Sequence, residues 1–385
     1  LMRSKVQPVQ IAIVGGGPAG LSTAGALIKL GAKPVVFDRN ARIGDSWRRR
    51  YDRLHLHTTR RFSGLAHYPI PRSYPQYLSR DMYAEYLELY AKQLAIEVAL
   101  GCSVESIGLA ASSDRETSAF DLQTSRGRIL ASAVVVATGM FGEPVTPRVA
   151  GLDDYRGTVL HACAYKSGKA FAAKRVLVVG LGNTGAEIAT DLVDHGAGYV
   201  AVSVRSTPPV VLRDLLGVPV QLFGIALSRV RPATADRIGQ VLSRLAIGDL
   251  SRYGLRTPDW LPFSSQRIPV IDVGFLRHLK RGTITIRPTV SRFTERGVLY
   301  GEGYAEEFDA VIFATGYRTG LERLLQLRGV LDDVGFPQAR MGDPTVVPGL
   351  YFIGFVHSHR GLLFEIERAS RRLARHWQTD RRRSR

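Results

Sequence analysis

At 385 residues and 42.3 kDa the chain exceeds the length at which one core usually stops growing, and its 45% of hydrophobic residues can fill two domains. No apolar run reaches the ~18 residues of a membrane span and the first residues carry no signal-peptide pattern, so a soluble, cytoplasmic protein without a membrane span is expected. The formal charge of +18 is scattered apart from Arg48 to Arg50 and a tail, Arg381 to Arg385, expected to be disordered; it forms no nucleic-acid module, and anionic cofactors rather than a physiological nucleic acid are the expected partners.

Val9 to Val14 (VQIAIV) reads as a strand, followed by Gly15, Gly16, Gly17, Pro18, Ala19 and Gly20 and a small-residue helix from Leu21 to Leu30. Gly15, Gly17 and Gly20 have the G-x-G-x-x-G spacing: the first glycine permits the turn, the second lets backbone approach a pyrophosphate, and the third lets helix pack on strand. A second strand, Val35 to Phe37, leads to Asp38 and Arg39. Asp38 lies 18 residues beyond Gly20, close to the ~20 expected of the acid that binds a ribose hydroxyl. The unit fits the ADP half of FAD.

Arg42 to Trp47 (RIGDSW) reads as a loop whose Ser46 and Trp47 are placed to lie along the flavin. In Asp52 to Phe62 (DRLHLHTTRRF), His55 and His57 alternate with apolar residues and are predicted to share one face of an extended segment. Two histidines lack the further ligands a metal would need, so no metal is expected. Ser79 or Asp81 caps a helix through Tyr90 with apolar positions at Met82, Tyr86, Leu87 and Leu89. Residues 96 to 130 alternate like a small antiparallel sheet, and Ala133 to Ala137 is a buried parallel strand ending in Thr138 and Gly139. Asp309 to Gly316 (DAVIFATG) echoes it, which places Gly139, Ala314, Thr315 and Gly316 beside the cofactors.

Between the two echoes lies a second glycine loop. Val176 to Val179 runs into Gly180, Gly182 and Gly185 ahead of a helix-forming segment, with Asn183 and Thr184 in the turn. The next strand, Tyr199 to Val204, ends on Arg205, Ser206 and Thr207, where an NAD site would usually carry an acid. A guanidinium with two hydroxyls suits a 2′-phosphate, which predicts NADPH. The fold class is therefore α/β with two Rossmann-like dinucleotide-binding domains, the NADP domain (155–309) inserted into an FAD domain (1–154 and 310–385). Val220 to Ala246, bounded by Pro219 and Gly248, has helical spacing and belongs to a substrate-side cap over about 210–265. A last strand, Leu350 to Ile353, precedes a closing helix, Leu363 to His376. Cys102 and Cys163 stand far apart with no C-x-x-C, which argues against zinc, a disulfide framework and a redox dithiol.

With these residues placed, the sequence resembles the class B flavin-containing monooxygenases, and within them the YUCCA group that acts on indole-3-pyruvate, over nearly the whole chain. Tyr155, Gly157, His161, Tyr165 and Lys166 fill the family's pattern between its two glycine loops, with Tyr155 where Phe is usual. GLGNTGAEIATDL is similar to the NADP turn, and RLHLHTTRRF to the flavin-side segment, His57 falling on a histidine of the YUCCA type. Ile247 to Gly274 resembles the YUCCA substrate-side region, and GLYFIGFVHSHRGLL the final flavin strand. There Val356 to His359 is longer, and Glu365 stands where small residues are usual, an acid that would favour an amine.

The resemblance implies an NADPH- and FAD-dependent monooxygenase. NADPH reduces FAD, O2 adds at C4a to give a (hydro)peroxyflavin, and a small organic substrate is oxygenated. An aromatic 2-oxo acid with decarboxylation is one substrate class; N- or S-oxygenation and Baeyer–Villiger chemistry are the alternatives. His57 and Thr58 are the candidate catalytic contacts at the flavin edge, and His161 reads as a hinge residue. An NADPH oxidase or a disulfide reductase shares the architecture, but the missing C-x-x-C argues against the reductase. A monomer or homodimer is expected.

Overall fold

The computed structural model describes residues 8–111, 119–301 and 303–383. A seven-stranded sheet forms the first body, in the order Glu97–Leu100, Pro34–Asp38, Pro8–Val14, Gly127–Val136, Phe120–Thr124, Val104–Leu109, with Leu350–Phe352 also paired to Gly127–Val136. Gly127–Val136 does two jobs. Its first half pairs antiparallel with Phe120–Thr124; its second half lies parallel between Pro8–Val14 and Leu350–Phe352, with Val136 opposite both Val14 and Phe352. Ala131 and Val134 to Val136 are accordingly fully buried, as strands covered on both faces must be.

The second body is a five-stranded, all-parallel sheet in the order Thr285–Arg287, Tyr199–Ser203, Arg175–Val179, Ala310–Phe313, Thr158–His161. This moves the expected domain boundary. Ala310–Phe313 does not open the return to the first body; Ile312 sits between Val178 and Leu160 in the second sheet. Its four consecutive buried residues need a parallel neighbour on each side, and only that sheet offers both. The chain crosses back after Gly316, where Tyr317–Arg318 pairs antiparallel with the outgoing Glu143–Pro144.

Several expected elements shift. RIGDSW is not all loop: Asp45–Arg48 forms a single helical turn. The helix Arg80–Gln93 has Ser79 as its cap, accepting from the Met82 amide, and buries Tyr83, Tyr86, Leu87 and Tyr90 while Met82 is exposed. Val220 to Ala246 is two helices, Val220–Leu227 and Pro232–Ile247. Pro232 occupies the first turn of the second, where its missing N–H costs nothing. The closing helix runs from Leu362 to Arg383, well past His376, so Arg381 to Arg383 of the basic tail are helical, while Ser384 and Arg385 lie outside the described residues; arginine is a good helix former once a helix is nucleated. This helix packs along the helix of the first glycine loop, where Thr23 Oγ1 and Ser370 Oγ meet at 3.2 Å. Among the described residues no helix is long and apolar enough to cross a membrane.

Candidate functional site

Each glycine loop is built against the Ala-Thr-Gly end of a neighbouring strand, which is why that tripeptide occurs twice. Gly15 has φ +112°, and a Cβ there would meet Ala137 O at 2.6 Å; Gly180 has φ +105°, and a Cβ would meet Ala314 O at 2.7 Å. The third glycines are equally constrained, since a Cβ at Gly20 would stand 1.8 Å from Gly15 O and one at Gly185 2.1 Å from Gly180 O. The middle glycines differ. Gly17 (φ −80°) and Gly182 (φ −109°) have ordinary backbone conformations, and a Cβ at either would meet no protein atom within 4 Å. Neither strain nor packing asks for glycine there; a ligand brought close to the helix N-terminus does. The residues therefore fit two dinucleotides.

Asp38 stands at the tip of its strand with Oδ2 accepting from Gly16 N at 2.6 Å and Oδ1 from Asn40 N at 2.7 Å. Both oxygens keep a lone pair for a ribose hydroxyl. Pro18 opens the following helix, and buried Ala19 lies 3.2 Å from where a Gly354 Cβ would be. Gly139 has φ +79° and its Cα lies 3.9 Å from the same point, so the carboxyl ends of three parallel strands converge beside the first loop. Arg39 and Ser46 are exposed. Trp47, expected along a flavin, is half-buried and packs edge-on against Tyr83 with ring centroids 4.7 Å apart.

At the second loop Asn183 is tied to the cap: its Oδ1 accepts from Ile271 N at 2.7 Å and its Nδ2 donates to Pro269 O at 3.2 Å. Arg205 is exposed and Ser206 half-buried at the end of the next strand. Thr207 is 7% exposed, and its amide donates to Asp259 Oδ2 at 2.8 Å. Thr315 Oγ1 donates to Val145 O, and Gly316 has φ +88°.

A cavity of about 1240 Å³ lies between this loop and the cap. His57, Thr58, Gly182, Asn183, Thr184, Thr207, Ala314 and Gly316 line it, whereas Gly15, Gly17, Gly20 and Asp38 do not. The cap supplies Phe223, Leu227, Leu242 and Phe263, an apolar wall. His57 and His55 do not act together. His55 is exposed and bonds Arg53 O, while His57 turns inward onto Glu187 at 2.7 Å, because the segment bends after Leu56 and does not continue as a strand. Thr58 Oγ1 pairs with Ser63 Oγ at 2.7 Å. His161 Nδ1 accepts from Cys163 N at 3.1 Å, so in the neutral ring Nε2 donates to Gly316 O at 3.2 Å. Burial lowers its pKa, as a ring held neutral requires. The ring clamps the strand end next to the crossing, with Tyr317 edge-on at 5.1 Å.

Glu365 does not offer a free carboxylate to the cavity. Arg360 binds it at 2.7 and 2.9 Å and Ser358 Oγ at 2.7 Å. Sequence reasoning missed four residues. Glu187, on the second-loop helix, is 2% exposed and meets His57; Tyr51 lies beside it, its phenol pushed up by burial and then by Glu187. Gln221 receives Thr59 N at 2.9 Å and donates to Arg360 O at 2.7 Å, fastening the cap to two loops of the first body. Asp236, 2% exposed, holds Phe263 N and Ser264 N at 2.9 Å each. Only Glu187 carried a signal, an acid within the small and apolar run Gly185–Leu192; Tyr51, Gln221 and Asp236 carried none. Among the described residues no group of His, Cys, Asp and Glu is arranged to hold a metal ion.

The family model for flavin-binding monooxygenase-like proteins matches residues 8–325. The chain belongs to the flavin-binding monooxygenase family. Among curated relatives of this family, the rice (Oryza sativa subsp. japonica) indole-3-pyruvate monooxygenase YUCCA1 is 38% identical over 366 residues, covering 91% of this chain and 87% of the relative. The probable indole-3-pyruvate monooxygenase YUCCA9 of Arabidopsis thaliana is 36% identical, covering 89% and 83%. Among solved structures, a flavin-containing monooxygenase from Stenotrophomonas maltophilia has a TM-score of 0.73 at 23% identity, covering 97% of this chain and 100% of that one. Cyclohexanone monooxygenase from Rhodococcus sp. Phi1 bound to NADP+ has a TM-score of 0.74 at 19% identity, covering 98% and 85%. A bacillithiol disulfide reductase from Staphylococcus aureus scores 0.71 at 17%, so the fold alone does not choose between oxygenase and reductase. Sequence identity does: this flavin monooxygenase is an FAD- and NADPH-dependent enzyme close to the YUCCA group.

Proposed function

We propose that this monooxygenase acts on an aromatic 2-oxo acid such as indole-3-pyruvate, decarboxylating it oxidatively to the shortened acid. The observation that carries the reading is the cavity. Its cap wall is apolar, while Arg244 and Arg256 border it and, among the described residues, neither is held in an ion pair. An aromatic body and a carboxylate are the two features such a lining recognises. The relatives named for indole-3-pyruvate support the same substrate class. Glu365, the residue that spoke for an amine, is neutralised by Arg360.

FAD would lie on the loop of Gly15, Gly17 and Gly20 with its ribose on Asp38, and NADPH on the loop of Gly180, Gly182 and Gly185 with its 2′-phosphate at Arg205 and Ser206. Bound FAD supplies the oxygen chemistry with electrons from NADPH. The protein's part is to orient the substrate, present His57 and Thr58 at the meeting of the two bodies, and keep water out behind the cap. Both cysteines are free, in keeping with a reducing, cytoplasmic setting. The test is NADPH-dependent turnover of indole-3-pyruvate beside a tertiary amine, a thioether and a cyclic ketone. Indole-3-acetate is the expected product; N- or S-oxide or lactone without decarboxylation would overturn the substrate reading.

A further inference from the structure

The helix Asn183–Asp194 carries three acids, Glu187, Asp191 and Asp194, at i, i+4 and i+7 and therefore on one side. Between them they bind Arg53 and His57 of the first body and Tyr165, Gly168 and His278 of the second. Asp194 binds Arg53 Nη1 at 2.5 Å and His278 Nε2 at 2.9 Å; Asp191 accepts from Tyr165 Oη at 2.6 Å and Gly168 N at 2.8 Å. Those two pairs are anchors away from the cavity. Glu187 differs, because its partner His57 lines the cavity.

A carboxylate accepts hydrogen bonds and does not donate them, so the His57 nitrogen facing Glu187, Nε2 at 2.7 Å, carries the hydrogen. In the neutral ring this leaves Nδ1 as an acceptor, and among the described residues no protein donor occupies it. Glu187 is also engaged by the Tyr51 phenol, which Thr184 contacts in turn. The second-loop helix thus reaches across to fix a ring that belongs to the other body.

We propose that Glu187 is a positioning residue: it locks His57 in the tautomer with hydrogen on Nε2 and thereby turns Nδ1, as an acceptor, toward the cavity where the cofactors and substrate meet. The role of that acceptor rests on the site assignment above; the tautomer itself does not. Two donors, Tyr51 and His57, share a carboxylate with two oxygens. Glu187→Gln leaves one oxygen for both, so the amide nitrogen must face one of them, and when it faces His57 the ring is driven to the opposite tautomer.

The experiment is nitrogen NMR on histidine-labelled holoenzyme, the His57 signals being identified by their loss in His57→Asn, together with steady-state kinetics. Wild type should show a pyridine-type Nδ1, and Glu187→Gln a mixture shifted toward the pyrrole type, since its amide can face His57 with either end. Turnover should fall about tenfold or more with KM for NADPH changed by about threefold or less, as when an orienting carboxylate is removed without loss of binding. Glu187→Asp should restore part of the turnover, and if Glu187→Gln does not fold, that variant carries the comparison with an intermediate loss. In a His57→Asn background Glu187→Gln should cost nothing more. A pyrrole-type Nδ1 in the wild type, unaltered turnover in Glu187→Gln, or an equal further loss without His57 overturns the positioning role. A wild-type protein that takes up no flavin would instead defeat the site assignment and leave the tautomer result standing.

Discussion

Gly182→Ala separates what the ligand demands from what the fold demands. The added methyl meets no protein atom within 4 Å, and φ −109° suits any residue. Alanine is a poorer N-cap than glycine by several tenths of a kcal/mol, and this is offset by about 0.4–1 kcal/mol from the stiffer unfolded chain. The net change is within about 0.5 kcal/mol, so Tm should move by about 2 °C or less. Gly185→Ala is the control: its Cβ would stand 2.1 Å from Gly180 O, inside the 3.0 Å that real Cβ contacts essentially never breach. Backbone must shift by nearly an ångström, costing about 1–3 kcal/mol. If a pyrophosphate approaches Gly182, the methyl should weaken NADPH binding about tenfold or more, ~1.4 kcal/mol. Thermal unfolding and NADPH titration of both variants read the two quantities separately. Unaltered NADPH affinity in Gly182→Ala, or a Tm loss matching that of Gly185→Ala, would refute the reasoning.

Asp38→Ala should leave the sheet intact and lower FAD retention through gel filtration, because it removes the ribose acceptor and frees the Gly16 amide; full flavin content in the eluted variant would count against the first-loop assignment. Arg205→Ala should cost NADPH about 1.5–3 kcal/mol, roughly ten- to a hundredfold, and leave NADH nearly untouched; parallel kcat/KM values for both nucleotides check it. Gln221→Leu strips partners from Thr59 N and Arg360 O at the root of the cap, which should lower stability by about 1–3 kcal/mol. Proteolysis should then begin between the two cap helices, and a variant as resistant as wild type would contradict the tether. Burial lowers the pKa of His161, His357 and His359 below the usual 6.5. The unfolded chain then binds more protons than the folded one as pH falls, so stability is full above about 6.5 and lost below it. A Tm that stays level from pH 7.5 to well below 6 would show that these rings do not govern acid stability.

The sequence by itself determined the two glycine loops, Asp38, the charge at Arg205 and the repeated Ala-Thr-Gly, because each depends on backbone geometry that a few consecutive residues dictate. In the structure Gly15 and Gly180 answer to a positive φ, and Gly17 and Gly182 to open space at a helix N-terminus, where a Cβ would meet no protein atom within 4 Å. Only the tertiary structure decided which sheet owns Ala310–Phe313, since a run of buried apolar residues is the same in either and pairing partners lie over a hundred residues away. It also separated His55 from His57, set Trp47 edge-on against Tyr83, and closed Glu365 onto Arg360. Side-chain direction in an irregular segment depends on what stands opposite, and what stands opposite His57 is a glutamate 130 residues further along the chain.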